Sequence, residues 1–193
     1  MSIQKVIFAD TETTGLDFVN DELVQVSAIT CDLDTQEVES SINYFFESTK
    51  EVEPRVTKIN GYYKGKWKAE GFNPIPNEVG APFILDYLNQ KSAVIFCHNS
   101  SFDRAFISIF LNRCGVPTLE QPKYFFDSAT LASLFMMKSD WKKPSLDYCV
   151  ERLKVPYQRL KKHDGLDDCY LLREVFFSLM KNIHVDYVAE GAS

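Results

Sequence analysis

Four acidic residues and one histidine carry the chemistry that this sequence offers. Val6-Ile7-Phe8-Ala9 is an apolar run that ends in Asp10-Thr11-Glu12, two acids one residue apart. On a strand, side chains alternate faces, so Asp10 and Glu12 point the same way, roughly 6–7 Å apart at the backbone. Two carboxylates at the end of a buried strand repel and are poorly solvated, and a divalent cation is the usual answer. The competing reading is a solvated pair in a surface turn.

Two further acids decide between these readings. In Phe102-Asp103-Arg104-Ala105-Phe106-Ile107-Ser108-Ile109-Phe110, helical spacing puts Asp103 on one face with Phe106, Ile107 and Phe110. A favourable charge at the helix N-terminus is the plainer role for it. In His163-Asp164-Gly165-Leu166-Asp167-Asp168, the two adjacent aspartates point about 100° apart on a helix. Asp168 aligns with Leu172, Val175, Phe176 and Leu179, whereas Asp167 falls on a mixed face and is expected in solvent. Asp164 is a candidate N-cap, with Asp167 near the capping-box position. His163 must lie in the loop before this helix if it is to share a site with Asp168. Four inward carboxylates from three segments require shared cations. Two divalent metals roughly 3.5–4 Å apart would use about this many hard oxygen ligands. The chemistry implied is phosphoryl transfer to water, with His163 as general base because its ordinary pKa lies near neutrality.

The elements that must position these residues follow from pattern. Lys5 to Asp10 reads as a buried strand ended by the Thr13-Thr14-Gly15 turn. Leu23–Leu33 and Val38–Phe46 read as a hairpin that extends it into an antiparallel meander. Glu53 to Gly61 has proline near its start and glycine at its end, the signature of a short helix. Tyr62 to Pro76 is irregular, and its bases and aromatics suit either stacking on nucleic acid or a solvated loop with the rings tucked in. Pro82 is expected to open a helix through about Gln90. Ala93–Cys97 is a short strand and Phe102–Cys114 a helix, preceded by the turn His98-Asn99-Ser100-Ser101 with its two N-cap candidates. Tyr124–Asp127, then helices over about 128–137, 145–153 and 165–181, complete an α/β layer with a mixed sheet.

Composition narrows the class. The chain has 193 residues, 45% hydrophobic and 25% charged, which suits one domain with a sizeable core. There is no apolar run of membrane-spanning length and no leader-like N-terminus, so a soluble, cytoplasmic protein is expected. Cys31, Cys97, Cys114, Cys149 and Cys169 stand singly and read as buried reduced thiols rather than zinc ligands. The net charge of −6 is unevenly spread. Residues 1–53 hold twelve acids and two bases, and the remainder holds nineteen bases and fifteen acids. An acidic half suited to metals thus faces a mildly basic half suited to phosphate.

Asp10-Thr11-Glu12-Thr13-Thr14-Gly15, His98-Asn99-Ser100-Ser101-Phe102-Asp103 and His163 through Asp168 together resemble the three exonuclease motifs of the DEDDh class. That class belongs to the ribonuclease H-like group and includes the proofreading epsilon subunit of bacterial DNA polymerase III. Weaker similarity covers Glu53–Gly61, Phe126–Ala132 and Ser145-Leu146-Asp147. The resemblance implies a five-stranded mixed sheet, a three-strand antiparallel meander plus parallel strands, flanked by helices. It implies a single exonuclease domain over 1–183 and a C-terminal tail over 184–193. By the same resemblance Asp10, Glu12, Asp103 and Asp168 are metal ligands for two divalent cations, Mg²⁺ or Mn²⁺, and His163 is the base. Thr13, Thr14, Gly15 and Leu16 would border the terminal nucleotide, with His98, Asn99 and Phe102 along the strand's path.

The implied activity is 3′→5′ removal of mononucleotides from a single-stranded end. The Thr11-Glu12-Thr13-Thr14 form favours DNA over RNA. The alternatives are an exoribonuclease of the ribonuclease T or oligoribonuclease type, an idle nucleic-acid-binding module, and a polymerase subunit whose role is protein contact. Lys161 and Lys162 read as phosphate contacts or as a solvated pair. Two positions depart from the pattern. Gly165 stands where the class usually has alanine, which should loosen the helix start by roughly 0.5–1 kcal/mol. Asn60 stands where many epsilon-like members have histidine.

Overall fold

The computed structural model describes residues 2–117, 124–136, 144–157 and 164–181. Strands β1 (Lys5–Thr13), β2 (Leu23–Asp32) and β3 (Val38–Phe45) form the expected antiparallel meander. β4 (Ala93–Cys97) runs parallel to β1 on its other side, and β5 (Phe125–Asp127) runs parallel to β4. The order is β3-β2-β1-β4-β5, a mixed five-stranded sheet. The helices are α1 (Pro54–Asn60), α2 (Lys66–Ala69), α3 (Asn77–Leu88), α4 (Ser100–Arg113), α5 (Ser128–Met136), α6 (Leu146–Leu153) and α7 (Gly165–Lys181). Among the described residues, no helix is long and apolar enough to cross a membrane. The proposed tail, His163, Lys161, Lys162 and residues 137–143 lie outside the described residues.

β1 is buried on both faces, which is why its start reads as an unbroken apolar run. Ile7 and Ala9 join one core with Val26, Ala28, Ile95, Ala81, Ile84, Phe106 and Phe110, beneath α3 and α4. Val6 and Phe8 join the other with Ile29, Cys31, Phe96, Leu172 and Phe176, beneath α7. The Phe176 ring meets Phe8 and Phe96 at 5.3 and 4.6 Å between centroids, edge-on or tilted as aromatic pairs prefer. The five cysteines are free thiols, and burial pushes those of Cys97 and Cys169 well up.

Three elements differ from the reading by pattern. β1 continues past Asp10 to Thr13, with a register shift at Glu12/Thr13 that closes the strand. α3 begins at Asn77, so Pro82 lies inside the helix instead of opening it. Packing outweighs the proline here, because Gly80, Ala81, Ile84 and Leu88 are all buried, and a Cβ on Gly80 would lie 2.5 Å from the Phe46 ring. Tyr62 to Pro76 contains the turn α2, and two of its rings are buried while Tyr63 stays exposed. Tyr62 and Trp67 are buried with Phe45 and Val24, and Phe72 stacks on Phe45 at 4.3 Å.

The seat of α7 against the sheet explains the glycine at its start. A Cβ on Gly165 would lie 2.7 Å from Ser27 Oγ and 3.3 Å from Asp10 Oδ2. Ser27 cannot simply swing aside, since its hydroxyl donates to Asn43 Oδ1 at 2.9 Å and accepts from Gln25 Nε2 at 3.1 Å. Gly165 therefore permits the close approach that brings Asp168 to β1. Gly165→Ala is expected to lower stability by about 1–3 kcal/mol despite its better helix propensity. Ser27→Ala should suppress that loss in the double variant. Thermal midpoints of the four proteins would measure the coupling, and additive effects would contradict the packing argument.

Candidate active site

Asp10 and Glu12 follow Val6 and Phe8 on the face of β1 that carries α7, as strand alternation requires. Asp168 comes down from the first turn of α7 onto the same face. One carboxylate oxygen from each of Asp10, Glu12 and Asp168 can be chosen so that all three lie within 4.8 Å of one another. Asp103 reaches the end of β1 from the opposite layer. It sits in the first turn of α4, 3% exposed, and takes a 2.8 Å hydrogen bond from Thr11 Oγ1. Thr11 lies between Asp10 and Glu12 in sequence and points to the other face. One strand end thus presents two acids to the helix on one face and a threonine to the helix on the other.

The electrostatics of this centre are strained. Burial pushes Glu12 up to about 8, the Asp168 carboxylate adds to the push, and Lys66 and Asn60 oppose it. Burial likewise pushes Asp103 up to about 7, against the Thr11 hydrogen bond. Carboxylates in this condition are relieved by a cation at their shared focus. The hard oxygen donor set fits a divalent metal ion.

The start of α7 is capped as expected, for the Asp164 carboxylate accepts from the backbone N–H groups of Leu166 and Asp167 at 3.2 and 3.4 Å. Asp167 is not solvated. It is buried and accepts a hydrogen bond from the Tyr157 hydroxyl. Helical spacing alone could not reveal that partner, which lies in the segment following α6. His163, read as the base, lies outside the described residues.

Beside the acids lies a cavity of about 320 Å³. One wall is Thr11 through Leu16, the other is Val56, Ile59 and Asn60 of α1, and Phe102 closes an end. Thr13, Thr14, Gly15, Leu16 and Phe102 are therefore brought together. Leu16, 80% exposed, and Ile59 stand apolar at the rim. A Cβ on Gly15 would lie 2.1 Å from Asp21 Oδ2, so a larger residue there would displace that carboxylate from its bond with the Asp17 N–H. The threonines are tied down: Thr13 Oγ1 donates to Gly15 O at 2.6 Å, and Thr14 Oγ1 accepts from Glu22 N–H at 2.9 Å.

His98 and Asn99 do not line this cavity. The two ring nitrogens of His98 bond Ser128 Oγ at 2.9 Å and Pro144 O at 2.8 Å. Asn99 adopts a left-handed φ of 88°, and its N–H donates to Asp127 Oδ1 at 2.9 Å. These contacts fix the turn that aims α4, and with it Asp103.

Sequence reasoning passed over four residues beside the site. Asn60, noted only as a departure, donates from Nδ2 to Thr13 O at 2.8 Å and accepts from the Tyr62 N–H at 3.0 Å. Val56 and Ile59 form the apolar wall, and their i, i+3 spacing on a short capped helix was the available signal. Lys66, buried at the start of α2, is the fourth, and nothing in its local pattern marks it.

Comparison with known proteins places the chain. The model of the family described as Exonuclease (RNase_T) matches residues 7–176. A DNA polymerase III PolC-type of Thermotoga petrophila is 27% identical over 189 residues, covering 95% of this chain and 13% of the polymerase. The chain therefore spans about an eighth of that relative's length. A ribonuclease T of Haemophilus influenzae is 25% identical, covering 92% of this chain and 80% of its own length. Among solved structures, E. coli exonuclease I in complex with a dT13 oligonucleotide superposes with a TM-score of 0.74 at 16% identity, covering 92% of this chain and 41% of that one. The motifs, the mixed sheet with its helices and the family match agree: this chain belongs to the exonuclease family, on the ribonuclease H-like fold of the DEDDh type.

Proposed function

We propose that the chain is a cytoplasmic, metal-dependent 3′→5′ exonuclease that removes mononucleotides from single-stranded ends, with its domain over residues 1–183. The observation that carries this reading is the focus of Asp10, Glu12 and Asp168 at the edge of a cavity sized for a small ligand. Asp10, Glu12, Asp103 and Asp168 are the residues that would hold two cations, Mg²⁺ or Mn²⁺. When bound, such ions polarise a phosphoryl oxygen and lower the pKa of water.

The rest is done by the chain itself. Leu16 and Ile59 offer apolar contact to the terminal base, while the tied-down Thr13-Thr14-Gly15 backbone bounds its sugar. Asn60 holds that backbone from behind and keeps the wall from yielding. Positioning of this kind supplies much of the catalysis in a reaction whose bond-making needs little from protein groups. His163 is proposed to take the proton from the attacking water.

DNA is the favoured substrate, in keeping with the oligonucleotide complex of the structural relative. An exoribonuclease is the second reading, because the ribonuclease T relatives match over most of their length. A polymerase-bound role is the partner that the PolC-type match suggests. Digestion of matched single-stranded DNA and RNA, labelled at either end, separates the two substrates and the polarity. A 5′ label should yield a descending ladder, and a 3′ label should be lost in the first step. Asp10→Ala should reduce Mg²⁺- or Mn²⁺-dependent release by roughly 10³-fold or more with the fold retained. Persistence of near-wild-type release would refute the metal-centred reading.

The raised acids make stability depend on pH and metal. A carboxyl whose folded pKa lies above its unfolded value stabilises the protein fully below the unfolded value, and that stability is lost as pH rises through the folded one. For Glu12 the window runs from 4.5 to about 8, and for Asp103 from 3.8 to about 7. Metal-free protein should therefore lose stability between pH 5 and 8.5. Mg²⁺ at about 100 times its dissociation constant should add about 2.7 kcal/mol at pH 8.5, a rise of several degrees in Tm, and less at pH 5. Equal increments at both pH values in thermal melts would count against a buried acidic binding site.

A further inference from the structure

On the face of β1 that meets α3 and α4, the side chains run Ile7, Ala9, Thr11. The first two are core residues, and Thr11 stands opposite Val26 of β2, which is fully buried. Valine would continue that apolar series with the same shape. Thr11 is 7% exposed and sets a hydroxyl there instead, and a buried hydroxyl is costly unless it is bonded. Its Oγ1 donates to Asp103 Oδ1 at 2.8 Å, from 92 positions away in the chain. The β-branch leaves few χ1 rotamers, so the strand backbone sets where the donor stands.

Asp10, Glu12 and Asp168 meet within 4.8 Å on the opposite face, and Asp103 is not one of that group. Its carboxylate comes from the other layer, in the first turn of α4. Packing of α4 fixes its Cα, but its side-chain torsions are fixed only by what the carboxylate touches. Thr11 lines the cavity beside the acids, as does Phe102, the residue before Asp103. The fourth acid is thus tethered at the cavity by the one residue that lies between Asp10 and Glu12.

Resting on the two-cation reading above, we propose that Thr11 is a positioning residue of the acidic centre. It engages one oxygen of Asp103 and leaves the other for a cation, at a place set by the strand that carries Asp10 and Glu12. Carboxylates that ligate a metal are themselves held by hydrogen bonds, and loss of such a holder weakens metal binding by about 10–100-fold. A bond that merely satisfied a buried carboxylate would act otherwise. It would compete with the cation for Asp103, so its removal would leave metal binding unchanged or tighter. The two roles differ in sign.

Calorimetric titration of Mn²⁺ into metal-free wild type, Thr11→Val, Thr11→Ser, Asp103→Ala, Asp10→Asn and the Thr11→Val/Asp103→Ala double variant, well below their thermal midpoints, tests this. Thr11→Val should lower the overall Mn²⁺ affinity roughly tenfold or more, and Thr11→Ser, which keeps the hydroxyl, should recover most of it. Once Asp103 is replaced, Thr11→Val should cost nothing further, because it acts through that carboxylate. Should Thr11→Val fail to fold, Thr11→Ala carries the same comparisons with the same expected directions. Unchanged or tighter Mn²⁺ binding by Thr11→Val overturns the proposal, even if its melting point falls. An equal loss with and without Asp103 also overturns it, as the mark of a packing effect along the strand. Absence of saturable Mn²⁺ binding by the wild type, or no loss in Asp10→Asn, overturns the metal reading itself. Binding lost in Asp10→Asn but kept in Asp103→Ala removes Asp103 from the ligands, and the Thr11 assignment falls with it.

Discussion

The structure depends on one constraint: like charges must be held together out of water at the end of a central strand. Each of Glu12, Asp103 and Asp168 would be cheaper in solvent, and their mutual repulsion rises as the medium around them becomes less polar. The fold keeps them in place by spending hydrophobic burial elsewhere. Phe8, Phe96 and Phe176 clamp α7 to one face of the sheet, and Ile7, Phe106 and Phe110 clamp α4 to the other. The acids sit where these two apolar clamps end. Such frustration at a site, supported by agreement elsewhere, is the expected mark of function over stability.

Close approach is the second requirement, and small residues provide it. Gly165 lets α7 come down on Ser27, and Gly15 leaves room for the Asp21 carboxylate beneath the turn that walls the cavity. The Asx-like contacts of Asp17, the tie from Arg113 to the Val19 and Asp21 carbonyls, and the Asn60 bond to Thr13 O hold that turn from three sides. The cavity wall is therefore rigid backbone rather than adaptable side chains. A wall of this kind suits recognition of a sugar–phosphate end more than of a particular base.

Much of this was legible in the sequence because it is written in local periodicity. The alternation at Asp10 and Glu12, and the i+4 and i+7 partners of Asp103 and Asp168, report which face of an element is buried, and those faces are the ones observed. The meander, the parallel strand after α3 and the Ser145 cap, which accepts from Tyr148 N–H at 3.2 Å, follow from equally local rules. What escaped is long-range. Pro82 inside α3 is tolerated because Gly80 nests on Phe46, a residue two helices earlier in the chain. Asp167 is claimed by Tyr157, and Lys66 is drawn in by the anchoring of Trp67 on β2. None of these contacts leaves a periodic trace, since each is fixed by what another segment presents.

β1 supplies acids to one helical layer and Thr11 to the other, and this has a consequence for how the chain matures. With α4 alone in place, Asp103 has its threonine but lacks the carboxylate that α7 brings. With α7 alone, Asp168 meets Asp10 and Glu12 but the fourth acid is missing. The complete set of four carboxylates exists only when both layers have closed over the same strand. Assembly of the four acids at one place is thus tied to the docking of both helical layers on the same strand.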